Sequence, residues 1–357
     1  MKKYILIFLI LVIMFNGLSS VRELTDLAIV KSIGIDLTEN GEIHMTAIVA
    51  DTSKKESNNS GKIYNSTGQS VQEAARNMVE VSPKKLYLGH LETLIISEEI
   101  AKSKFENTLD FFIRDNEGSN SFYLLVAKDK SAEEVVSVIN NEEIDLIAFL
   151  KSMQKYKGSA NINTLNDNFK DIIEKGTQLC TNSFEIEGDE LKISEMAYFN
   201  EWEMKGFLTT QESLLYNMLM NNTDNFITAI NKDDDLIVAE IFDSKTNMSI
   251  DKYDSSCINI NVKINANITE TGKNIELNDK EILKEVEKQF NEELNNKIEI
   301  FCKKIKEEYK TDILSIGNLL YRKKSELFND LNYLEKIKVK VNVDFNILSQ
   351  GGVKKVW

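Results

Sequence analysis

The stretch CININVKINANIT, residues 257–269, alternates apolar and polar side chains along its length. A period of two places the apolar side chains on one face of a β-strand and the polar ones on the other. We therefore expect a strand with one face on a hydrophobic core and the other in water. The apolar positions are Ile258, Ile260, Val262, Ile264, Ala266 and Ile268, and the polar ones are Asn259, Asn261, Lys263, Asn265 and Asn267.

A long helix is expected between this strand and a second alternating stretch at Lys336–Leu348. Apolar residues recur at steps of four and three from Ile282 to Tyr309, with Asn278 and Glu281 as the expected cap. Steps of four outnumber steps of three, whereas the seam of a coiled coil alternates them, so packing across a sheet is favoured. The C-terminal part is thus predicted as a long amphipathic helix on an antiparallel-type sheet.

Strands and helices alternate in the N-terminal part, which predicts an α+β or mixed α/β fold. The polar segment 51–67 between the early elements is expected to be a mobile loop. The predicted strands are Leu27–Asp36, Glu42–Ala50, Leu91–Ser97 and Ser121–Ala127, with an Asn40-Gly41 turn joining the first two. The predicted helices are Ser70–Val81, Glu98–Arg114 and Ser131–Ile139.

A chain of 357 residues has room for two to three domains with mixed sheets. We expect one domain at 21–192 and a second at 193–353, with a weaker pattern near 140–176 that allows a further subdivision. Short strands at Leu191–Phe199 and Trp202–Leu208 and a helix at Gln211–Met220 are expected around the boundary.

Residues 1–20 are expected to direct export, as a signal peptide or a signal anchor. The lysines Lys2 and Lys3 precede an apolar run of twelve residues, Tyr4–Phe15, and small residues follow it. Twelve residues suit the apolar region of a signal peptide and fall short of the roughly 20 that span a bilayer.

Composition argues against nucleic-acid binding, because 57 acidic and 43 basic residues give a net charge of −14. The three cysteines Cys180, Cys257 and Cys302 are far apart, which excludes the usual spacings of zinc and thioredoxin-type sites. We expect them to be small buried hydrophobes.

The sequence predicts a protein that is not an enzyme, with no metal site and no cofactor. The motifs of serine hydrolases, zinc proteases, P-loop proteins and dinucleotide-binding proteins do not occur. There are two histidines, and the lone His90 at a strand entrance favours a hydrogen-bonded structural group over a catalytic base. The triplet Asp233-Asp234-Asp235 lacks the glycine and the distal glutamate of a calcium loop, which favours a solvated turn.

Short motifs along residues 22–350 resemble, in order, the Ger(x)C family, the C subunits of spore nutrient germinant receptors. Each motif is short, but their common order makes a chance match improbable. They are Arg22–Asp36 (RELTDLAIVKSIGID), Gly68–Ser70 with Arg76-Asn77, Ser82–Leu91 (SPKKLYLGHL), Leu109–Asp115 (LDFFIRD) with Tyr123–Lys128, and Tyr309–Ile313 with Ile316-Gly317 and Tyr321–Lys323.

This resemblance implies a non-enzymatic subunit that works with two membrane subunits, of A type and B type, in the nutrient sensing that triggers germination. It also implies a membrane-associated protein on the outer face of the spore inner membrane. The alternative is an exported protein that binds a small nutrient directly and acts as a sensor.

The chain departs from the family at the lipidation site, where the family places a lipobox cysteine before the Arg-Glu-Leu motif. Leu18 stands at the expected cysteine position, and a leucine has no thiol to carry a diacylglyceryl group. We therefore expect anchoring through an uncleaved signal or through the partner subunits.

The motifs single out residues for which two roles stay open. One is a structural role, with the charged members in buried or half-buried ion pairs, and the other is a role in an interface. The residues are Arg22, Glu23, Leu24, Asp36, Arg76, Lys85, Gly89, His90 and Arg114.

Overall fold

A computed structural model describes residues 27–50, 61–82, 84–114, 121–188, 190–223, 225–232, 235–272, 279–323, 325–330 and 332–349. The predicted export signal at 1–20, with Leu18, and the motif residues Arg22, Glu23 and Leu24 lie outside the described residues. The division of the chain near residue 193, with a subdivision near 140–176, stays a prediction.

The larger of the two sheets in the described residues is mixed, which confirms the predicted fold class. Parallel pairs lie at its centre, and antiparallel pairs lie toward both edges. Within the described ranges its strands are β1 (Leu27–Leu37), β2 (Ile43–Ala50), β3 (Gly61–Gly68), β4 (Lys85–Tyr87), β5 (Thr93–Ser97), β6 (Tyr123–Ala127), β7 (Cys180–Glu187), β8 (Glu190–Asn200) and β9 (Glu203–Leu208). They follow the order β3-β2-β1-β5-β6-β7-β8-β9, and β4 pairs with β1 in parallel.

Helices cover both faces of this sheet. Strand β5 shows the two faces, because Leu94 and Ile96 belong to one core while Ile95 belongs to the other. Burial on both sides explains why β5 and β6 are nearly continuous apolar runs. The first core includes residues of α1 (Val71–Asn77), α2 (Glu98–Ser103), α3 (Phe105–Arg114) and α6 (Leu165–Ile173), and the second includes residues of α4 (Ala132–Asn141) and α5 (Leu146–Lys157).

The predicted hairpin of β1 and β2 is confirmed, and Gly41 adopts the left-handed φ of +76° that its turn requires. The predicted loop at 51–67 is wrong in its second half, where β3 pairs with β2 along its length. Strand β3 lies at the sheet edge and leaves most of its side chains partly or fully exposed, so its sequence is polar and lacks a strand-like apolar pattern. Residues 51–60 lie outside the described residues.

The predicted helix at 98–114 is two helices, α2 and α3, separated at Lys104. At Lys104 the backbone turns to φ −133° and ψ 19°, and its Nζ donates to the Gly41 carbonyl at 2.6 Å. The break directs Phe105 into the core, where its ring lies 4.5 Å from that of Phe199. Apolar spacing continues across the break, which is why the sequence pattern did not reveal it.

The second sheet holds β10 (Phe226–Lys232), β11 (Asp235–Ile250), β12 (Cys257–Glu270) and β13 (Lys338–Ser349), in that order. It is antiparallel except for the pair β12–β13, which is parallel because the connection crosses the sheet through a helix. The alternation predicted for residues 257–269 is confirmed, since all six apolar side chains are buried.

The helix that connects β12 to β13 is α8 (Lys280–Lys304), and a π-helical turn at Ile305–Tyr309 follows it. Its apolar stripe packs on the sheet, and the rings of Phe290 and Phe345 stack at 4.6 Å. The cap is Asp279 and not the predicted Asn278, because the Asp279 carboxylate accepts from the Glu281 N–H at 2.8 Å. Asn278 itself lies outside the described residues.

A shared core joins the two sheets. Helix α7 (Thr210–Leu219) follows β9, and its buried residues pack with β8 and with the inner face of β12. A second junction lies at Gly176, whose carbonyl accepts from the N–H of Asn318 at 2.9 Å. A Cβ on Gly176 would lie 2.3 Å from the backbone of Gly317, so only glycine at position 176 lets these two backbone segments lie so close together. The remaining helices are α9 (Ile316–Arg322) and α10 (Tyr333–Lys336), with a 3-10 turn at Glu326–Asn329.

Candidate functional site: a basic groove on the larger sheet

A groove of about 680 Å³ opens between α1 and α3 on one face of the larger sheet. We call this space the basic groove. Each wall is built from positions i, i+3, i+4 and i+7, which share one face of a helix. On one wall these positions are Gln72, Ala75, Arg76 and Val79, from α1 and the 3-10 turn after it, and Ser70 and Val71 at the start of α1 also line the groove. On the other wall they are Asn107, Asp110, Phe111 and Arg114.

The floor of the groove is apolar. It is formed by Ile33 of β1, Met45 of β2, Leu86 of β4 and Leu88 just after β4. Ile33 and Met45 are fully buried, and Leu86 and Leu88 are 8% and 6% exposed, so the floor presents a small apolar surface at β4 and the turn after it. An occupant that contacts this floor therefore needs an apolar side.

Three cations that the sequence motifs singled out meet at the groove. Arg76, Lys85 and Arg114 all line it, and all three are exposed. Asp110 is the one carboxylate in the described lining, and its Oδ1 accepts from Arg114 Nε at 2.6 Å. The lining thus carries a formal charge of +2 on a chain whose net charge is −14.

Arg76 and Arg114, for which buried or half-buried ion pairs were one expected role, are both exposed. The side chain of Arg114 is 78 % exposed despite its ion pair with Asp110. An exposed ion pair of neighbouring helical turns contributes less than about 1 kcal/mol to stability. The roles of Arg76, Lys85 and Arg114, structural or in an interface, stay predictions.

Asp36 lies away from the groove, at the face that α4 covers. Its carboxylate accepts from the N–H groups of Ala132 and Glu133, at 2.7 Å and 2.9 Å. Burial raises the pKa of Asp36, although these two hydrogen bonds act in the opposite direction. Its contacts are those of a structural cap on a helix N-terminus.

Gly89 and His90 form the turn after β4. The imidazole of His90 is exposed and packs edge-on against the ring of Tyr87, with centroids 5.9 Å apart. A Cβ on Gly89 would lie 2.4 Å from the Tyr87 hydroxyl, so glycine makes room for that ring. These residues shape the turn beside the groove and do not line it.

Asp312 is a residue that sequence reasoning missed as a candidate, although it lies in the motif Tyr309–Ile313. Its buried carboxylate accepts from the N–H groups of Ile316 and Gly317 and from the Tyr333 hydroxyl at 2.7 Å. Burial raises the pKa of Asp312. The available signal was an aspartate shortly before an Ile-Gly pair that begins a helix.

An ion pair between Glu212 of α7 and Lys304 of α8 connects the helix that follows β9 to the helix that packs on the second sheet. Lys304 Nζ donates to Glu212 Oε1 at 2.6 Å. Burial alone would raise the pKa of Glu212, but hydrogen bonds from Lys304 and Thr209 bring it below its ordinary value. The hydrogen bond with Glu212 is the main cause that raises the pKa of Lys304.

The described residues hold no cluster of three or more His, Cys, Asp or Glu side chains that could bind a metal ion. The three cysteines are free, and burial raises the pKa of the Cys302 thiol to about 12. Such a thiol stays protonated and unreactive at neutral pH. Within the same residues, none of the helices combines the length and apolar character needed to cross a membrane.

Comparison with known proteins gives the family. Residues 20–186 match the model of the spore germination protein N-terminal domain. Residues 194–351 match the model described as spore germination B3/GerAC like, C-terminal. The chain belongs to the Ger(x)C family. The resemblance inferred from the short motifs is thereby confirmed.

Two relatives align along almost the whole chain, and a third aligns along less than two thirds of it. Spore germination protein KC of Bacillus subtilis (strain 168) is 25% identical, over 96% of this chain and 94% of the relative. Spore germination protein B3 of the same organism is 21% identical, over 95% of each chain. Spore germination protein GerQC of Bacillus cereus is 23% identical, over 63% of this chain and 62% of the relative.

The fold is also shared with a solved structure. The crystal structure of the GerBC protein superposes with a TM-score of 0.59 and 19% identity, over 88% of this chain and 96% of that one. At this identity the likeness concerns the fold.

Proposed function

We propose that this chain is a non-enzymatic C subunit of a spore germinant receptor, acting with A-type and B-type membrane subunits in the nutrient sensing that triggers germination. The observation that carries the proposal is the match of both parts of the chain, 20–186 and 194–351, to models of spore germination proteins. The basic groove supports it, because an exposed lining of three cations over an apolar floor suits recognition of a partner.

The proposed location is the outer face of the spore inner membrane, in association with that membrane. The export signal expected at 1–20 supports this location. With Leu18 at the lipobox position, the proposed attachment is an uncleaved signal or the partner subunits. Intact mass of the membrane-associated form tests this attachment, because an added diacylglyceryl group would contradict it.

Co-purification from spore membranes tests the proposed complex. A tagged copy of the chain, extracted in mild detergent, should bring down an A-type and a B-type subunit in a constant ratio. A tagged exported protein of unrelated sequence serves as the control. Recovery of the intact chain without either membrane subunit would contradict the proposal.

A second candidate function is direct binding of a small nutrient, which the groove's size favours. Its volume of about 680 Å³ falls within the roughly 300–1,000 Å³ of typical small-molecule sites. Isothermal titration of the purified chain with amino acids and sugars tests this function. An absence of heat with every nutrient that triggers germination would count against it.

A further inference from the structure

We infer that the basic groove receives an acidic amphipathic helix of a partner protein. The inference rests on the proposed function in so far as the partner is a receptor subunit. It follows from three features of the described lining: the shape of the walls, the character of the floor and the placement of the charges.

The walls have the geometry of a site between two helices. Residues at i, i+3, i+4 and i+7 of α1 with its 3-10 extension face those of α3 at the same four positions. Leu86 and Leu88 supply a small apolar floor, so a third helix laid in the groove would pack against α1 and α3 and contact the sheet at β4. Insertion of an amphipathic helix into such a groove is a recurring mode of peptide recognition.

Exposed apolar side chains extend this surface beyond the floor. Val79 on one wall is 50% exposed, and Phe111 on the other wall is partly exposed. A small anion seated on the floor would leave Val79 and most of Arg114 in water. An occupant with an apolar stripe of two or more turns would cover them, and this favours a helix over a small molecule.

The charges specify the outer edges of the occupant. Arg76 and Arg114 lie on opposite walls, and Lys85 belongs to the strand beneath. A helix with an apolar stripe flanked by Asp or Glu would place carboxylates at both walls. The guanidinium of Arg114 has further N–H donors besides the Nε that contacts Asp110, so it can bind a second carboxylate.

Photo-crosslinking in intact spores tests the occupant directly. A photoreactive amino acid replaces Gln72 or Asn107, one exposed residue from each wall. A control chain carries it at Tyr253, which is 89% exposed in the turn between β11 and β12. Both groove positions should crosslink to one partner segment with an apolar stripe between acidic residues. Adducts to lipid, to a basic segment, to a small molecule, or no adduct at all would overturn the inference.

Charge reversal tests the electrostatic part. The double variant Arg76→Glu with Arg114→Glu should lower the crosslink yield at Gln72 at least tenfold, and Arg76→Lys with Arg114→Lys should retain most of it. Lys62→Glu with Lys151→Glu makes the same charge change at exposed positions outside the groove and should leave the yield unchanged. Equal yields in the two Glu double variants would contradict the inference.

The nutrient response of the same spores separates this inference from the proposed function. If the groove variants respond normally while deletion of the whole gene abolishes a response, the groove is not the docking site and the receptor role stands. If deletion changes no response, the receptor role itself is wrong.

Discussion

The Asp36 carboxylate accepts a hydrogen bond of 2.7 Å from the backbone N–H of Ala132, 96 residues later in the chain. The N–H of Glu133 donates to the same carboxylate at 2.9 Å. These bonds tie the end of β1 to the N-terminus of α4, whose first N–H groups have no partner within the helix. Asp36 thus fixes the layer of helices that covers one face of the larger sheet.

Asp36→Ala should lower the free energy of unfolding by about 2 kcal/mol, because it leaves two N–H groups at a buried helix start without an acceptor. Urea denaturation measures the loss. Ser131→Ala, which removes the local cap on the Glu134 N–H, should cost about 1 kcal/mol and serves as the comparison. A loss at Asp36 no larger than about 0.5 kcal/mol would show that water replaces the carboxylate there.

Asp312→Ala should be more damaging than Asp36→Ala, with a loss of about 3 kcal/mol, because two backbone N–H groups and the Tyr333 hydroxyl lose their acceptor inside the protein. Tyr333→Phe removes one of these donors and should cost about 1 kcal/mol. Both are measured by urea denaturation at neutral pH. Equal losses of the free energy of unfolding in the two variants would mean that the Asp312 carboxylate stabilises the protein only through its hydrogen bond with Tyr333.

The ion pair of Glu212 and Lys304 should contribute about 1 kcal/mol of coupling, as expected for a half-buried pair between helices. A double-mutant cycle with Glu212→Gln and Lys304→Met measures it. The lowered pKa of Glu212 means that its contribution is present above about pH 4.5 and is lost as the pH falls through the pKa of the folded state. A coupling energy near zero at pH 7 would refute this role.

Asp171 should make the chain less stable as the pH rises through the weakly acidic range. Burial, with the charges of Glu174 and Asp167, raises its pKa from 3.8 to about 6. The folded state therefore holds this proton more tightly than the unfolded state, and stability falls between about pH 4 and pH 6. Asp171→Asn should thus stabilise the protein at pH 7 by about 1 kcal/mol, since partial exposure screens much of the effect.

Urea denaturation at pH 3.5 and pH 7 checks this prediction. The gain from Asp171→Asn should be present at pH 7 and nearly absent at pH 3.5. Glu106→Gln, at an exposed position of α3, should change stability little at either pH. A gain of equal size at both pH values would contradict the assigned pKa.

The second sheet shows what sequence patterns predict well. Strand β12 and helix α8 each bury one face, so alternation at 257–269 and the stripe from Ile282 to Tyr309 report their structure directly. The sequence pattern does not predict strands β7, β10 and β11. In β10, Ile227 interrupts the alternation because it faces solvent and is 59% exposed. Where apolar residues also lie on the solvent-facing side of a strand, the sequence does not alternate, and the strand cannot be predicted from its pattern.

The groove could be predicted only in part. The motif resemblance singled out Arg76, Lys85 and Arg114, but it did not indicate that they meet. Their convergence depends on the parallel pairing of β4 with β1, which aligns Lys85 with Leu27, and on the break at Lys104 that positions α3. Both are tertiary features, and the local periodicity of the sequence does not indicate them.

Germination of spores that lack the gene is the most direct test of the receptor role. In a strain without redundant receptors, we predict that the deletion abolishes the response to at least one nutrient and that a restored wild-type copy recovers it. Spores that germinate normally with every nutrient after the deletion would contradict the account.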